Sequence, residues 1–599
     1  MSRSAPARPI AHPFVDASSL NRRQSLQIGL AGAACGLLVS GQTTNPAQAS
    51  DSPRFNTVPF VDDLPISVIK TVGTLDPQSN PDGKAGSGEC GRNPHQRRGD
   101  WPANKFYTLR VNAGMHRFHR DMAEQTIWGF DSMYPGPTFV ERYGVPTIVR
   151  IYNDLPEQNV GFGSPEITTH LHNLHCASES DGFAADFYSR TKHGPTLTGV
   201  GAYQDHHYPH CYAGYDNPLY DHTNGDPREA LGTLWYHDHR EHFTAANCYR
   251  GLMGFYLLFD HIDSGNELDP SETALRLPSG VGIYDIPLMI SDFLFDSSGN
   301  LEFDQFETKG ILGNKTCING KIQPKFSVQP RKYRFRLLDA SLSRFYELYL
   351  TDGAGVNYPF KYIANDGNLL PAPLDTNKVR LAPAERGDIV IDFAKFPMNK
   401  PLYLVNRLIQ DDGRGPEDAG TNVRDAKGDL RAKGTQLMRF DINREAVWVT
   451  VNGVQTSDPS RVPPALRALP PRMEPGEVVK TRNFRFDREN EVWTVNGEIF
   501  DYSKPTITVQ KGTAEIWQLE GNGNWHHPVH IHMEEFQILT RNGIKPPLHE
   551  SGRKDVVVLE PGEKVRIFIR FREFTGKYMM HCHNLVHEDH AMMIRFDIV

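Results

Sequence analysis

The stretch Tyr578-Met-Met-His-Cys-His-Asn-Leu-Val-His-Glu-Asp-His-Ala-Met-Met593 combines a cysteine with several histidines and methionines. The apolar residues before His581 predict a buried strand that ends near His583. Because side chains on a strand alternate between faces, His581 and His583 point one way and Cys582 the other. Cys, His and a weak axial Met are the ligands of copper electron-transfer sites. The tripeptide can therefore join two metal sites back to back. The alternative interpretation, ordinary core histidines and a buried thiol, would have to hold several times within one loop.

Composition limits the kind of protein that carries this stretch. The chain has 599 residues, 39% hydrophobic and 23% charged, which predicts a globular protein with two to four domains. Its net charge of −8 offers no basic surface suited to nucleic acid or to an anionic membrane. We therefore expect neither as a partner.

The N-terminus has the features of an export signal. The arginine pair in Asn21–Leu26 precedes a short apolar run, and Ala47-Gln-Ala49 offers a small-x-small cleavage site. This pattern resembles a Tat signal, so we expect residues 1–49 to be removed and the protein to be periplasmic, or secreted. The alternatives are a cytosolic protein with a chance arginine pair or an uncleaved anchor, although the apolar run is short for a membrane span.

Five cysteines remain outside the signal and the C-terminal stretch. An oxidising compartment permits disulfides among them, but an odd number leaves at least one thiol free or paired outside the chain. They are Cys90, Cys176, Cys211, Cys248 and Cys317.

Short β-branched and aromatic runs between Gly, Pro and Asn turns predict an all-β chain. Predicted strands include Lys105–Val111, Thr147–Tyr152, Leu252–Phe259, Lys332–Leu338 and Asp388–Phe393. A faint threefold repeat of a turn before a β-rich run supports three related domains. We predict an extended lead-in at 50–101, domain 1 at 102–265, domain 2 at 266–457, a linker at 458–474 and domain 3 at 475–599.

Three further histidine motifs accompany the C-terminal one. Spacing of i, i+2 on a strand places both imidazoles on one face, where they can converge on a metal cluster. A single pair is weak evidence and fits a solvated surface equally well, but four motifs in one chain form a strong constellation. The motifs are His170-x-His172, His237-x-His239, His527-Pro-x-His530-x-His532 and His581-Cys-His583.

With these motifs the chain resembles the multicopper oxidases. The resemblance covers nearly the whole mature chain and is closest to the bilirubin oxidases and bacterial spore-coat-type laccases, including Trp525 two residues before His527. It implies three cupredoxin-like, Greek-key β-sandwich domains and four copper ions. It also implies that a small-molecule reductant is oxidised one electron at a time while O2 is reduced to water.

The resemblance also assigns ligands residue by residue. The type 1 copper would be held by His527, Cys582, His587 and an axial Met592, with Met593 a less favoured axial ligand. The type 2 copper would be held by His170 and His530. The type 3 pair would be held by His172, His237, His239, His532, His581 and His583.

Two acidic residues complete the predicted site. Asp181 and Glu588 resemble carboxylates that deliver protons or orient ligands, although either could be an ordinary loop carboxylate. We expect the reductant to approach an exposed edge of His527 or His587, and Cys582 to pass electrons to the cluster through His581 and His583.

Other features leave alternatives open. The stretch His206–His222 could bind a further metal or shape access, but a solvated loop is favoured. As reductant we expect a phenol, an aromatic amine or a bilirubin-like tetrapyrrole. The alternatives are an oxidase of Mn(II) or Cu(I) and, against the intact ligand set, a copper-free structural protein with the cupredoxin fold.

Overall fold

The computed structural model describes residues 55–84, 88–158, 161–417 and 434–599. The predicted export signal lies outside these residues. β-Strands dominate the described chain, and each larger sheet draws its strands from one of the three predicted domains. The all-β prediction is confirmed, while the domain boundaries stay predictions.

Domain 1 contains two sheets, ordered β2-β1-β4-β6 and β3-β8-β7-β5. Their strands are rich in Val, Ile, Thr and aromatic residues, which pack well on a pleated surface. The strands are β1 (Lys105–His116), β2 (Gln125–Phe130), β3 (Gly136–Arg142), β4 (Thr147–Asn153), β5 (Thr169–His172), β6 (Tyr203–Tyr208), β7 (Thr233–Asp238) and β8 (Met253–Phe259).

Domain 2 also forms two sheets, one built around β12-β11-β9-β14-β20-β17-β18 and the other around β13-β22-β21-β15-β16. The strands are β9 (Asp285–Phe295), β10 (Leu301–Glu302), β11 (Lys315–Ile318), β12 (Lys321–Ile322), β13 (Lys325–Val328), β14 (Lys332–Asp339), β15 (Tyr346–Thr351), β16 (Asn357–Tyr358), β17 (Phe360–Asn365), β18 (Asn368–Thr376), β19 (Lys378–Leu381), β20 (Arg386–Asp392), β21 (Pro401–Asn406) and β22 (Thr435–Ile442). A separate hairpin follows, formed by β23 (Val449–Val451) and β24 (Val454–Thr456).

Domain 3 has sheets ordered β26-β25-β28-β33-β30-β31 and β27-β35-β34-β29-β32. Its strands are β25 (Val478–Glu489), β26 (Val492–Val495), β27 (Ile507–Val509), β28 (Thr513–Gly521), β29 (His527–Ile531), β30 (Phe536–Arg541), β31 (Arg553–Lys554), β32 (Val556–Leu559), β33 (Lys564–Phe571), β34 (Gly576–Cys582) and β35 (Met593–Ile598).

Short helices lie beside the strands that carry the histidine motifs. The helix α1 (Ser178–Asp181) contacts β5 and β34, and α2 (Thr244–Arg250) contacts α3 (Leu585–Asp589). Asn584 caps α3, because its side chain accepts a hydrogen bond from the Val586 N–H. Single 3₁₀ turns span Pro218–Tyr220, Pro227–Glu229, Phe393–Lys395 and Leu548–Glu550.

One hydrophobic cluster contains residues of all three domains. Trp235 of domain 1, Met289 of domain 2 and Val556 and Leu585 of domain 3 are all buried in it. Burial of apolar surface is the main force that favours such packing. The domains therefore share a core beside the histidine motifs.

The described cysteines are all free thiols and all buried, so no disulfide joins any of them. Cys90, Cys176, Cys248 and Cys317 are fully buried, and Cys211 is 6% exposed. Free cysteines in such surroundings act as small hydrophobic side chains.

Candidate metal centre

Four strands bring the histidine motifs together. In domain 1, β5 pairs antiparallel with β7, which places His170 opposite His237. In domain 3, β29 pairs antiparallel with β34, which places His530 opposite His581. Each pair of strands presents a row of imidazoles, and the two rows meet between the domains.

The eight imidazoles assigned to the cluster form one buried group. His170 stacks on His532 with ring centroids 3.9 Å apart, and His172 stacks on His530 at 3.7 Å. Both stacks join domain 1 to domain 3, so the cluster exists only where these domains dock. Each ring is at most 1% exposed: His170, His172, His237, His239, His530, His532, His581 and His583.

The ring nitrogens leave lone pairs directed at the cluster. Nδ1 of His170 donates to the Asp181 carbonyl oxygen, Nδ1 of His237 to the Asp238 carbonyl oxygen at 2.8 Å, and Nδ1 of His530 to the Asp555 carbonyl oxygen at 2.9 Å. The second nitrogen of each ring, Nε2, is buried and has no partner among the described residues. Imidazoles that ligate metals are held in this way, with the other nitrogen donating to a carbonyl or carboxylate.

His239, His532 and His581 form one compact group. Nε2 of His581 lies 3.3 Å from Nε2 of His239 and 3.2 Å from Nε2 of His532, and the donor atoms of all three lie within 4.8 Å of one another. Nitrogen lone pairs this close repel each other unless a proton or a metal ion lies between them. The three rings therefore fit a single metal ion.

Burial keeps the imidazoles in the form that binds metal. It lowers the pKa of His237 to about 3 and that of His239 to about 4. Burial, together with the neighbouring imidazoles, also holds the pKa values of His170, His172 and His532 well below the usual range. Neutral imidazoles at pH 7 are ready to accept a metal ion without losing a proton first.

The second group consists of His527, Cys582 and His587. Sγ of Cys582 lies 3.5 Å from Nδ1 of each histidine, and all three side chains are fully buried. Met592 is also fully buried, and its backbone N–H donates to the His587 carbonyl oxygen at 3.1 Å. Met592 and Cys582 belong to the same core cluster. Two imidazoles, a thiol and a methionine thioether are the donor set of a blue-copper site.

The expectation of an exposed histidine edge is wrong, because His527 and His587 are both 0% exposed. Nε2 of His587 donates to the Lys309 carbonyl oxygen at 2.9 Å, and Trp493 covers the face of its ring. Lys309 belongs to domain 2, so the hydrogen-bond partner of His587 comes from a distant part of the chain. Neither imidazole is therefore directly accessible to a molecule in solvent.

The predicted carboxylates both touch candidate ligands. Oδ2 of Asp181 lies 2.7 Å from Nδ1 of His532. The two oxygens of Glu588 lie 2.9 Å from Nδ1 of His581 and 3.4 Å from Nδ1 of His239. Asp181 and Glu588 lie in the short helices α1 and α3 and are fully buried. Their roles in catalysis stay predictions.

The favoured interpretation of the segment after His206 as a solvated loop is wrong for three of its histidines. His206, His207 and His210 are at most 3% exposed, and His206 and His207 belong to β6. Each donates to a backbone carbonyl, of Ser180, Trp101 and Val145 respectively. These hydrogen bonds satisfy one nitrogen of each ring, and Nε2 of His206 is buried without a partner among the described residues.

Some contacts of the site carried no sequence signal. Oδ1 of Asp555 accepts a hydrogen bond from Nε2 of His172 at 3.1 Å. Asn584 and Trp493 contact His587. No spacing rule links Asp555 or Trp493 to the motifs, because both lie on other strands or loops. Asn584 lies within the C-terminal stretch, between His583 and His587, but has no predicted role.

Comparison with known proteins agrees with this geometry. Residues 472–599 match the family model of the multicopper oxidases. The chain is 34% identical over 502 residues to a bilirubin oxidase of Albifimbria verrucaria, covering 82% of this chain and 76% of that protein. It is 28% identical over 545 residues to a laccase of Bacillus subtilis, covering 82% and 94% of the two chains.

A solved multi-copper oxidase from Pediococcus acidilactici has the same fold. Its TM-score is 0.66 at 20% identity, over 91% of this chain and 93% of that chain. The predicted class of three cupredoxin-like domains is thereby confirmed. The chain belongs to the multicopper oxidase family, the copper-dependent oxidoreductases that use O2 as electron acceptor.

Proposed function

We propose that the protein oxidises an organic reductant at the His527–Cys582–His587 site and reduces O2 to water at the eight-histidine cluster. One observation carries the proposal. Cys582 belongs to the group of His527, Cys582 and His587, while His581, its direct neighbour, belongs to the group of His239, His532 and His581. Copper bound at both sites would supply the electron transfer and the oxygen chemistry.

The residues around copper have separable tasks in this proposal. His527, Cys582 and His587 would hold the type 1 ion, and the backbone of residues 581–583 would connect it to the cluster. Trp493 keeps water from His587, since it is 1% exposed and stacks on that ring. An apolar shell of this kind tunes the potential of a copper site.

Asp181 and Glu588 each lie where the carboxylate can hold the proton on Nδ1 of a cluster histidine. Each carboxylate lies beside Nδ1 of a cluster histidine, which keeps Nε2 free for metal. Reduction of O2 to water consumes protons, and a buried carboxylate beside the cluster can relay them.

The outer face of the type 1 site favours an organic reductant over a metal cation. The guanidinium groups of Arg414 and Arg488 lie 5.4 and 5.3 Å from the centre of the Trp525 ring. Asp412 and Glu491 pair with these arginines and balance their formal charge. A planar aromatic reductant can stack on the indole and guanidinium groups of such a surface, which a hydrated Mn(II) ion cannot do.

We also propose export to the periplasm through the Tat system, with cleavage after Ala49. The support is the sequence of the N-terminal segment. Within the residues that the structure describes, no helix has the length and apolar character of a membrane span. N-terminal sequencing of protein recovered from the periplasm tests the cleavage site.

Oxygen uptake by the copper-loaded protein tests the function. Bilirubin, a dimethoxyphenol and Mn(II) are compared side by side, and uptake with Mn(II) alone would replace the organic reductant by a metal ion. Cys582→Ser should abolish both the blue colour and the oxygen uptake. Cys317→Ser removes another buried thiol, far along the chain, and should retain both. A colourless, inactive wild type at full copper loading contradicts the enzyme proposal.

A further inference from the structure

Arg386 connects the three domains behind the histidine cluster. It begins β20 of domain 2 and its side chain is fully buried. Its Nε donates to the Thr233 carbonyl oxygen of domain 1 at 3.2 Å. Its Nη1 donates to Oδ1 of Asp555 in domain 3 at 2.8 Å, and its Nη2 donates to Oδ2 of the same carboxylate. The guanidinium therefore binds the Asp555 carboxylate through both of its terminal nitrogens.

Asp555 in turn contacts two candidate ligands. Its Oδ1 accepts from Nε2 of His172 at 3.1 Å, and its carbonyl oxygen accepts from Nδ1 of His530 at 2.9 Å. These two imidazoles stack on each other at 3.7 Å. Nδ1 of His172 and Nε2 of His530 are left without partners among the described residues. One residue therefore determines which nitrogen each ring offers to a metal.

His172 differs in this respect from three other cluster histidines. His170, His237 and His530 donate through Nδ1 and leave Nε2 free, whereas His172 donates through Nε2 and leaves Nδ1 free. Its ring must therefore be turned relative to theirs. The contact that imposes this orientation is the Asp555 carboxylate.

We propose that Asp555 and Arg386 form a positioning pair that orients His172 and His530 for metal binding. Domain 2, which contributes none of the predicted copper ligands, then controls the geometry of the cluster. The proposal rests on the proposed function, because it takes both imidazoles as copper ligands.

The chemistry of the two side chains supports this role. A carboxylate that accepts from a ligating imidazole fixes its tautomer and increases its basicity. A bidentate guanidinium holds the carboxylate in one plane, which a lysine cannot do. The same guanidinium offsets the charge of Asp555, so the pair orients His172 without adding a net negative charge to the cluster.

The first test compares Asp555→Ala with Asp555→Asn in the full-length, copper-loaded protein. The alanine variant loses the acceptor for Nε2 of His172, whereas asparagine can keep an oxygen at the position of Oδ1. We expect Asp555→Ala to bind cluster copper about 10–100-fold more weakly in a chelator competition, and Asp555→Asn to recover most of that affinity. The blue absorbance of the Cys582 site should remain in both variants.

A second buried pair provides the matched control. Arg336 grips Asp285 with two hydrogen bonds of 2.7 and 2.8 Å, and its Nη1 donates to the Thr233 hydroxyl at 2.8 Å. Asp285→Ala therefore breaks an equivalent buried pair at the same domain contact without touching a predicted ligand. We expect it to lower the melting temperature but to leave the cluster copper affinity and the type 2 EPR signal unchanged.

Arg386→Lys is a second variant that tests the same proposal, and it remains informative should Asp555→Ala fail to fold. We expect an altered type 2 EPR signal with an unchanged blue site. Cluster affinity and EPR signals equal to wild type in both Asp555→Ala and Arg386→Lys, or an affinity loss in Asp555→Ala no larger than that of Asp285→Ala, would overturn the proposal. Should Asp555→Ala not fold, a wild-type EPR signal and affinity in Arg386→Lys would overturn it. A wild type that binds no cluster copper would instead contradict the proposed function itself.

Discussion

Trp493 stacks on the imidazole of His587, with ring centroids 3.7 Å apart and ring planes inclined by 29°. Its indole Nε1 donates to the Thr308 carbonyl oxygen at 2.7 Å, so the ring is held from domain 2. The stack replaces the exposed histidine edge that the sequence led us to expect. It places an aromatic side chain between solvent and the group of His527, Cys582 and His587.

Trp493→Ala should lower the reduction potential of the type 1 site. Water that enters the space left by the indole stabilises the more highly charged oxidised copper. The cavity should also cost about 3–5 kcal/mol of unfolding free energy. Potentiometric titration of the blue absorbance measures the first effect and thermal unfolding the second.

Trp517→Ala controls for the loss of a buried indole from the same core cluster. Trp517 is fully buried and its Nε1 donates to Glu515. Trp517→Ala should lose a similar free energy of unfolding but keep the wild-type reduction potential of the blue site. Equal potentials in wild type and Trp493→Ala would show that the stack does not shield the site.

Asp181→Asn and Glu588→Gln should slow reoxidation by O2 about 10–100-fold, because each removes a carboxylate that lies beside a cluster histidine. Anaerobic reduction of the blue site should keep its wild-type rate, since neither residue belongs to that donor group. Stopped-flow absorbance separates the two half-reactions.

The control for this pair is Glu179→Gln. Glu179 lies in the same helix as Asp181, but its carboxylate accepts from the backbone and side chain of Gln96. The Glu179→Gln variant should therefore be reoxidised by O2 at the wild-type rate. Slower anaerobic reduction in Asp181→Asn or Glu588→Gln would assign these carboxylates to the type 1 site instead.

Glu229 should protect the fold against acid. Burial raises its pKa, but Arg553 and Arg572 outweigh burial and lower the pKa of Glu229 to about 2, from an ordinary value of 4.5. A carboxyl whose pKa is lower in the folded state stabilises the fold above its unfolded pKa. That stability, about 3 kcal/mol, is lost as pH falls from about 5 to 2.

Glu229→Gln should therefore be less stable than wild type at pH 7, and the difference should shrink over this acid range. Urea unfolding at a series of pH values measures the difference. Glu124→Gln, which removes a half-exposed partner of Arg117, should change little at any pH. A constant deficit in Glu229→Gln down to pH 2 would refute the charge-based explanation.

Copper should stabilise the fold, because the buried imidazoles converge with unpartnered nitrogens only in the folded state. Free copper at 100 times the dissociation constant of one site adds about 2.7 kcal/mol to the free energy of unfolding. Calorimetry should show a lower melting temperature after copper removal and recovery on reconstitution. Cys582→Ser should gain less from copper than wild type, and identical melting with and without copper would rule out linkage between binding and folding.

The sequence alone determined many of the strands and the candidate ligands. Alternation on a strand is a local rule, so it predicted that His581 and His583 share a face and that Cys582 points away. Predicted strands such as Lys105–Val111 and Thr147–Tyr152 lie within β1 and β4 for the same reason. The histidine spacing likewise anticipated which imidazoles the structure brings together.

The tertiary structure alone decided what surrounds those ligands. Burial of His587, its contact with Lys309 and the grip of Arg386 on Asp555 join residues that are hundreds of positions apart, or lie on different domains. Such contacts depend on how the sheets dock, and docking is governed by non-directional burial of apolar surface rather than by local periodicity. The four motifs could therefore be recognised along the chain, whereas the shell that orients and shields them exists only in the assembled fold.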